Sequence, residues 1–546
     1  GDDKFLPGKI ALGLADFIAI LPKDDPRLPL YLGAFRKIAK MTTDDPNDSW
    51  GIYYYLSALD KFRRAGWLAQ AVDPLTLAKL RVRLDWRSFV DVDSYALIDH
   101  PNNFYCVAFS IARLRAAMGW DGQGPVDRLY KEMVDHYRQY SGAYGFADET
   151  NGEGRFDRYS VLLAGEIAAR FVQTGDRPPA EVLGWLRKSA DVMLMRVNPE
   201  GRGFEYGRSI GAYGETSMIE VLTAAAALDL LDPREKALAY AYASAAADRY
   251  VHFWMDPRTG SVNLWDGGRR TDAYRGKFRI LGENLSLAHQ YVYTNAIWNA
   301  LGYKDRPPAA DWQLSRLPVR ATTWFAKGRY DRLLVTMHDR GRLVALPIIN
   351  GGAGQHDHSP YFPIPFSPGM LAGVADGNAP LLVPQLTLAD GSKLMPLSFE
   401  RDVRVISEGK RTRVVIRQTE LDRIGKDAPE ADSRVTVETD YLFEPGRITR
   451  TDIFTPKPGT AITDVAVEFA SFSPGPTQSG SVMRFASGAV SRFAASGFAH
   501  CAVHSTSSAD TDYQSPEGAM ASVVRCSGLR SIRDTPFTLT WRIEYQ

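Results

Sequence analysis

Along this 546-residue chain the spacing of apolar residues changes once, from a helical period to a strand period, near residue 303. Before that point "LYLGAFRKIAKM", "IYYYLSALDKFRRAG", "FYCVAFSIARLRAAMG", "VDRLYKEMVDHYRQY" and "YSVLLAGEIAARFVQ" repeat apolar residues at i, i+3, i+4 and i+7. So do "EVLGWLRKSADVMLMRV", "MIEVLTAAAALDLL", "KALAYAYASAAADRYVHFW" and "NLSLAHQYVYTNAIWNALG". Connections between them are mostly short, which favours antiparallel helix pairs. No solenoid-type repeat is present. After that point "RLLVTMHD", "RLVALPII", "RDVRVIS", "RTRVVIRQTEL", "SRVTVETDYLFE", "RITRTDIFT" and "TLTWRIEY" alternate with a period of two between turn residues. The expected layout is therefore an N-terminal (α/α) toroid of helix hairpins over 1–303 and a C-terminal antiparallel β-sandwich of about fifteen strands over 320–546. A linker over 304–319 carries the proline-bearing, aperiodic "KDRPPAADWQLSRLP".

Composition narrows the partners. Lys and Arg number 65 against 64 Asp and Glu, for a net charge of +1. That balance gives no global case for nucleic acid or a membrane surface as partner. No apolar run approaches the ~18 residues of a membrane span. The opening "GDDKFLPG" lacks the basic and apolar regions of a signal peptide, which fits a trimmed mature terminus and a cytoplasmic protein alike. Of the three cysteines, Cys501 and Cys526 are able to pair within the strand half, and Cys106 stands alone.

Four loop segments carry unusual chemistry. "DHPNNFYC" (99–106) sets Asn102 and Asn103 at the head of a helix, where an asparagine serves either as N-cap or as an amide donor to a ligand. "YGFADETNGEGRFDRYS" (144–160) holds Arg158 and Tyr159, and reads equally as a solvated turn. "GFEYGRSIGAYGE" (203–215) holds Tyr206, Arg208 and Tyr213 on a glycine-rich backbone before a helix. Its glycines 207, 211 and 214 would admit a sugar close to the main chain, and the helix behind it would offer its positive end to an anion. "NGGAGQHDHSPYFPIPFSPG" (350–369) holds His356, His358 and Tyr361. The alternation in "HDH" is that of strand residues sharing a face, and without further ligands at metal spacing no metal is expected. No cofactor is expected either. His289 and Tyr293, four apart on one helical face, are a buried polar pair or a functional one.

The segment "IGAYGE" resembles the "GAYG" of hyaluronate lyases, whose tyrosine in that motif is catalytic and falls at Tyr213 here. Those enzymes carry a histidine nine positions earlier, where this chain has Phe204. More broadly, "NNF", then "YSGAYGFADETNGEGRFDRYS", then "YGRSIGAYG" is similar to bacterial toroid proteins of uronic-acid glycan degradation. The helical-toroid-plus-sandwich layout is that of heparinase II/III-like, alginate, hyaluronate/chondroitin and glucuronan lyases. The resemblance implies an anionic polysaccharide as partner and a periplasmic or secreted location.

It also implies a reaction, β-elimination at a 4-linked uronic acid, with β-1,4-glucuronan as first candidate polymer. In that reading Asn103 and Arg208 neutralise the uronate carboxylate, Tyr213 is the acid and, for groups on one face of the sugar, also the base. His356, His358 or His289 is otherwise the base. Asn102, Arg158, Tyr159, Tyr206, Tyr293, Tyr361, Trp50 and Trp265 line the substrate. A glycoside hydrolase such as a glucuronidase on the same scaffold would instead need two carboxyl groups, with Asp148, Glu149, Glu153, Asp157, Glu205 and Glu215 available. A non-catalytic glycan-binding protein would need only stacking rings such as Trp50, Trp265, Tyr105 and Tyr361.

Overall fold

The computed structural model describes all residues except 1–2, 46, 101–102, 151, 272–275, 309–318, 351–360, 374–380 and 425–429. Its first half contains α1 (Leu6–Ala19), α2 (Leu28–Thr42), α3 (Ser49–Ala65), α4 (Leu68–Ala71), α5 (Pro74–Arg83) and α6 (Phe104–Ala117). These are followed by α7 (Gln123–Ser141), α8 (Arg158–Thr174), α9 (Ala180–Leu194), α10 (Ala212–Ala227), α11 (Pro233–Arg249) and α12 (Ile280–Trp298). Local chemistry sets many of the ends. At α11, Asp232 accepts from the Arg234 and Glu235 amides while Glu235 accepts from the Asp232 amide, and Pro233 takes the first position. α3 stops at Gly66, whose φ of 77° only glycine adopts without strain.

Six helices close a ring. α1 packs on α3, α3 on α6, α6 on α8, α8 on α10, α10 on α12, and α12 returns to α1. α2, α7, α9 and α11 pack on the ring from outside. α10 packs on α8, α9, α11 and α12, which is why every residue from Ala212 to Ala226 is buried. The six ring helices run parallel to one another. Asp16, eleventh in α1, meets His289, tenth in α12, at 2.6 Å and also pairs with Lys61, thirteenth in α3. Arg170, thirteenth in α8, lies 3.7 Å from Glu220, ninth in α10, the long side chain leaning toward its helix N-terminus. All six N-termini therefore surround one mouth. No helix among the described residues is long and apolar enough to cross a membrane.

Beyond Tyr303 the described elements are strands, starting at Arg320. An eight-stranded sheet runs in spatial order 477–479, 482–484, 490–496, 537–545, 447–456, 435–444, 411–418, 401–408. A seven-stranded sheet runs 431–432, 421–423, 393–395, 385–388, 462–471, 522–527, 500–505. Neighbouring strands pair antiparallel, and Val435–Glu444 alternates buried with half-buried residues along its whole length. The sheets pack face to face. Phe469 of one stacks on Phe493 of the other at 4.7 Å, and Leu386, Leu394 and Val465 share a core with Val437, Phe454 and Leu539. Twenty strands lie in this half among the described residues, five more than the sequence pattern gives. The surplus comes from pieces of two to four residues, too short to display a period. Cys501 and Cys526 form a disulfide between directly opposed residues of adjacent strands, and Cys106 is free and buried.

A three-stranded sheet (320–326, 332–339, 342–348) joins the halves. Its Phe325 packs against Phe146 and stacks on Phe156 at 5.5 Å, and His338 hydrogen-bonds the Met195 carbonyl at 2.8 Å. One continuous buried apolar cluster runs from the helices into both large sheets.

Candidate functional site

A cavity of about 510 Å³ lies along the axis of the helical ring. Every ring helix contributes to its mouth from its first turn or N-cap: Phe5, Trp50, Asn103, Arg158, Tyr213 and Arg279. The lining carries seven cations, Lys9, Lys61, Arg64, Arg158, Arg170, Arg208 and Arg279. Against them stand three carboxyl groups, Asp60, Glu166 and Glu220. Helix N-termini add partial positive charge, although Asp157 already caps α8 and Glu215 and Glu283 sit in the first turns of α10 and α12.

At the mouth the side chains are held from behind. Tyr213 is the second residue of α10, and its carbonyl accepts from Arg158 Nη1 at 3.2 Å, Thr216 Oγ1 at 3.1 Å and Ser217 Oγ at 2.8 Å. Its ring packs in a cluster with Trp254, Val262, Leu264 and Leu287. Arg158 and Arg208 both lie over the Tyr159 ring, at 4.4 and 4.2 Å from its centre. Arg208 is also ion-paired with Glu149 and lies 3.7 Å from Asp157. Two second-layer carboxylates therefore fix its place on the wall and offset part of its charge. Asn103 occupies the N-cap position of α6 but makes no capping bond, and its buried Oδ1 has no hydrogen-bond partner among the described residues. The capping role that an asparagine before a helix ordinarily plays is thus not what holds Asn103 here.

The glycines of "GFEYGRSIGAYGE" serve the fold, not a ligand. A Cβ on Gly203 would sit 2.1 Å from the Gly214 carbonyl carbon, and one on Gly214 would sit 2.4 Å from the Phe204 oxygen. Gly207 faces Asp157 and Gly211 faces Pro516. The segment is folded tightly onto the first turn of α10, and this packing overturns the expectation of sugar contact through those glycines. The positive end of α10 is likewise met by the chain's own Glu215, which accepts from Arg249 Nε at 2.7 Å and Trp254 Nε1 at 2.8 Å.

Of the residues singled out in the sequence, Trp50, Asn103, Arg158, Tyr159, Arg208, Tyr213, His289 and Tyr293 line this one cavity. Three do not. Tyr206 is in the apolar core, edge-on to Phe204, because its ring points away from the axis. Tyr361 is buried and donates to Asp157 Oδ2 at 2.6 Å, bracing the loop that carries Arg158. Trp265 packs beside Trp254 and Val262, outside the cavity. Asn102, His356 and His358 lie outside the described residues.

Height along the axis separates the rest. Tyr213 is the second residue of α10, whereas His289 is the tenth of α12 and bonds Asp16 on α1. With parallel helices rising 1.5 Å per residue, His289 stands about 12 Å below the mouth. It belongs with Tyr293, Lys61 and Arg170, not with Tyr213 and Asn103.

None of the six carboxyl groups named for hydrolysis lines the cavity. Asp148 accepts from the amides of Thr150, Gly152 and Gly154 at 2.7 to 3.0 Å, which is what shapes its glycine-rich loop. Glu205 pairs with Arg196. The acids that do face the cavity, Asp60, Glu166 and Glu220, are not among the residues the sequence singles out. For Glu166 and Glu220 the signal is an acid inside a mostly apolar helical run, in "LLAGEIAARF" and "SMIEVL". Burial, and then Glu220, push Glu166 up to about 8, while Arg158 opposes the shift. Burial also raises Glu220, against Arg170 and His289.

Because Glu166 holds its proton in the fold well above the point where an exposed glutamate loses it, the folded chain binds more protons than the unfolded one from about pH 4.5 to 8. Its contribution to stability is complete below that window and is lost as pH rises through it. The difference in Tm between Glu166→Gln and wild type should therefore grow in favour of the variant from pH 5 to pH 8.5. A constant difference would show that Glu166 ionises freely in the fold.

Among the described residues no group of three or more His, Cys, Asp or Glu is placed to hold a metal ion. No protein-family model matches the chain, and no curated protein matches its sequence. Three solved structures are among those the chain resembles. A chondroitinase AC lyase is 9% identical, with 100% of this chain and 83% of that one covered at a TM-score of 0.42. A heparan sulfate lyase HepC mutant from Pedobacter heparinus is 8% identical over 97% of this chain and 84% of that one, at 0.33. The type II terpene cyclase MstE from Scytonema is 13% identical over 55% of this chain and 88% of that one, at 0.32.

Proposed function

We propose that the protein is a polysaccharide lyase that cleaves a 4-linked uronic-acid polymer by β-elimination at the mouth of the ring. The observation that carries this reading is the convergence of Tyr213, Asn103, Arg158 and Arg208 on one cationic cavity. The C5 proton of a uronic acid lies beside a carboxylate, whose charge opposes a developing carbanion. Amide and guanidinium donors on that carboxylate relieve the opposition, an effect of about 3 kcal/mol per well-placed donor. The Tyr213 phenolate oxygen then takes the C5 proton, the C5–H pair becomes the C4–C5 double bond, and the C4–O4 bond breaks. Returned to O4 by the same phenol, the proton balances the step without water. His289 stands too far down the axis for the base in this scheme, so Tyr213 carries both transfers.

The test is an incubation with poly-β-1,4-glucuronic acid, alginate and glycosaminoglycans, recording the ultraviolet absorbance of the unsaturated product. Product from at least one polymer is expected, the glucuronan first. A product that has gained water and lacks the double bond would instead favour hydrolysis. The specific observation behind that second reading is the Glu166–Glu220 pair in the cavity.

A further inference from the structure

The chemistry proposed at the mouth uses only the first turns of the ring helices, yet the cavity continues far below them. On α3 its lining runs from Trp50 to Arg64, and on α8 from Arg158 to Gln173. Fourteen and fifteen residues of helix span about 21 and 22 Å. This is a shaft inside a closed ring, and its wall has three registers. Upper aromatic rings come from α3, where Trp50 lies 5.9 Å from Tyr53 and 6.0 Å from Tyr54. Below them is a hydrogen-bonded belt between α3 and α8: Tyr53 donates to Gln173 Oε1 at 3.1 Å, Gln173 donates to Ser57 at 3.2 Å, and Arg170 lies over the Tyr53 ring at 4.1 Å. At the far end are Lys61 and Arg64, with Arg64, Ala296 and Ala300 exposed.

From these registers we infer that the shaft is a glycan subsite, which takes the end of an acidic oligosaccharide along the ring axis. Rings offer their faces to sugar C–H groups, the belt offers neutral donors and acceptors to hydroxyls, and Arg170 and Lys61 offer charge to a carboxylate. Topology gives the consequence. A polymer cannot enter a shaft enclosed by a closed ring of helices except end first, so the protein works from a chain end and does not clasp the middle of a chain. This rests on the lyase reading above, and its experiment is built to fail separately.

Wild-type protein is incubated with poly-β-1,4-glucuronic acid carrying a fluorophore at the reducing end. Unsaturated products of one or two short lengths from the earliest time points are expected, with solution viscosity falling slowly. Unsaturated products of widely spread lengths, with a rapid loss of viscosity, would overturn the inference and leave the lyase reading standing. Absence of unsaturated product would count against the lyase reading alone, because calorimetry with a glucuronic-acid tetrasaccharide decides the shaft directly. Leu162→Trp plugs the shaft one turn below the mouth. At a melting temperature near that of wild type it should reduce tetrasaccharide affinity at least tenfold. Unchanged affinity in that folded variant would overturn the subsite. Should Leu162→Trp fail to fold, Gln173→Ala, which opens the belt without adding bulk, is expected to weaken tetrasaccharide binding several-fold, and unchanged affinity again overturns it.

Discussion

Tyr213→Phe should lower the rate of unsaturated-product formation by about 10³-fold while leaving the thermal unfolding midpoint within a few degrees of wild type. Proton transfer by a positioned side chain ordinarily contributes 10²- to 10⁴-fold, and here one oxygen is asked to perform two transfers. The fold should hold because the substitution keeps the ring that packs with Trp254, Val262, Leu264 and Leu287. The backbone carbonyl stays fixed by Arg158, Thr216 and Ser217, none of which touches the phenolic oxygen in doing so. Steady-state kinetics on the preferred polymer, beside circular-dichroism melting, provides the check. Turnover near wild type would remove Tyr213 from the reaction and move attention to Glu166 and Glu220, two acids that line the same cavity.

Arg332→Met should cost about 3–5 kcal/mol of stability, because it strips several buried acceptors of their donor at about 1–3 kcal/mol each. Arg332 is 2% exposed and lies where the three-stranded sheet meets the helical half. Its guanidinium donates to the Gly154 carbonyl at 2.8 Å, to the Asp331 and Ser398 carbonyls at 2.9 Å each, and to Glu400 Oε2 at 2.9 Å. The substitution leaves those acceptors buried with no donor in place of the guanidinium. Glu400→Gln should cost far less. Burial outweighs the attraction of Arg332 and pushes Glu400 up to about 8, so the acid already carries its proton at neutral pH and an amide replaces it nearly like for like. Urea titration of both variants decides the matter, and equal losses would mean that Glu400 is charged in the fold. Since Gly154 belongs to the loop leading to Arg158 and Tyr159, Arg332→Met should also depress turnover more than its stability loss explains.

Much of the architecture was legible because periodicity is a local property. A helix or strand with one face in the core must repeat its apolar residues at 3.6 or 2, and this chain does so over segments that coincide with α2, α3, α6 to α12 and the long strands. Segments escape that reading when they are too short to show a period, as are the four-residue α4 and the strands of two to four residues. The candidate site was legible in part for a related reason. Asn103, Arg158, Arg208 and Tyr213 stand at helix starts beside loops, where polar residues have no packing duty to explain them. Tyr206, Tyr361 and Trp265 looked alike in sequence but face the core, because which way a loop ring turns depends on residues hundreds of positions away, as Tyr361 on Asp157 illustrates.

What the sequence determined by itself was a helical half followed by a strand half, most helix and strand spans, and a short roster of polar groups near helix N-termini. Only the tertiary structure decided that six helices close into a parallel ring, that their N-termini gather the roster at one mouth, and that Glu166, Arg170 and Glu220 face the axis below it. The physical reason is range. Periodicity and capping act over three or four residues, whereas the pairing of Asp16 with His289 joins positions 273 apart. No local rule encodes such a contact; it follows from closing the ring and burying charge where a partner happens to be within reach.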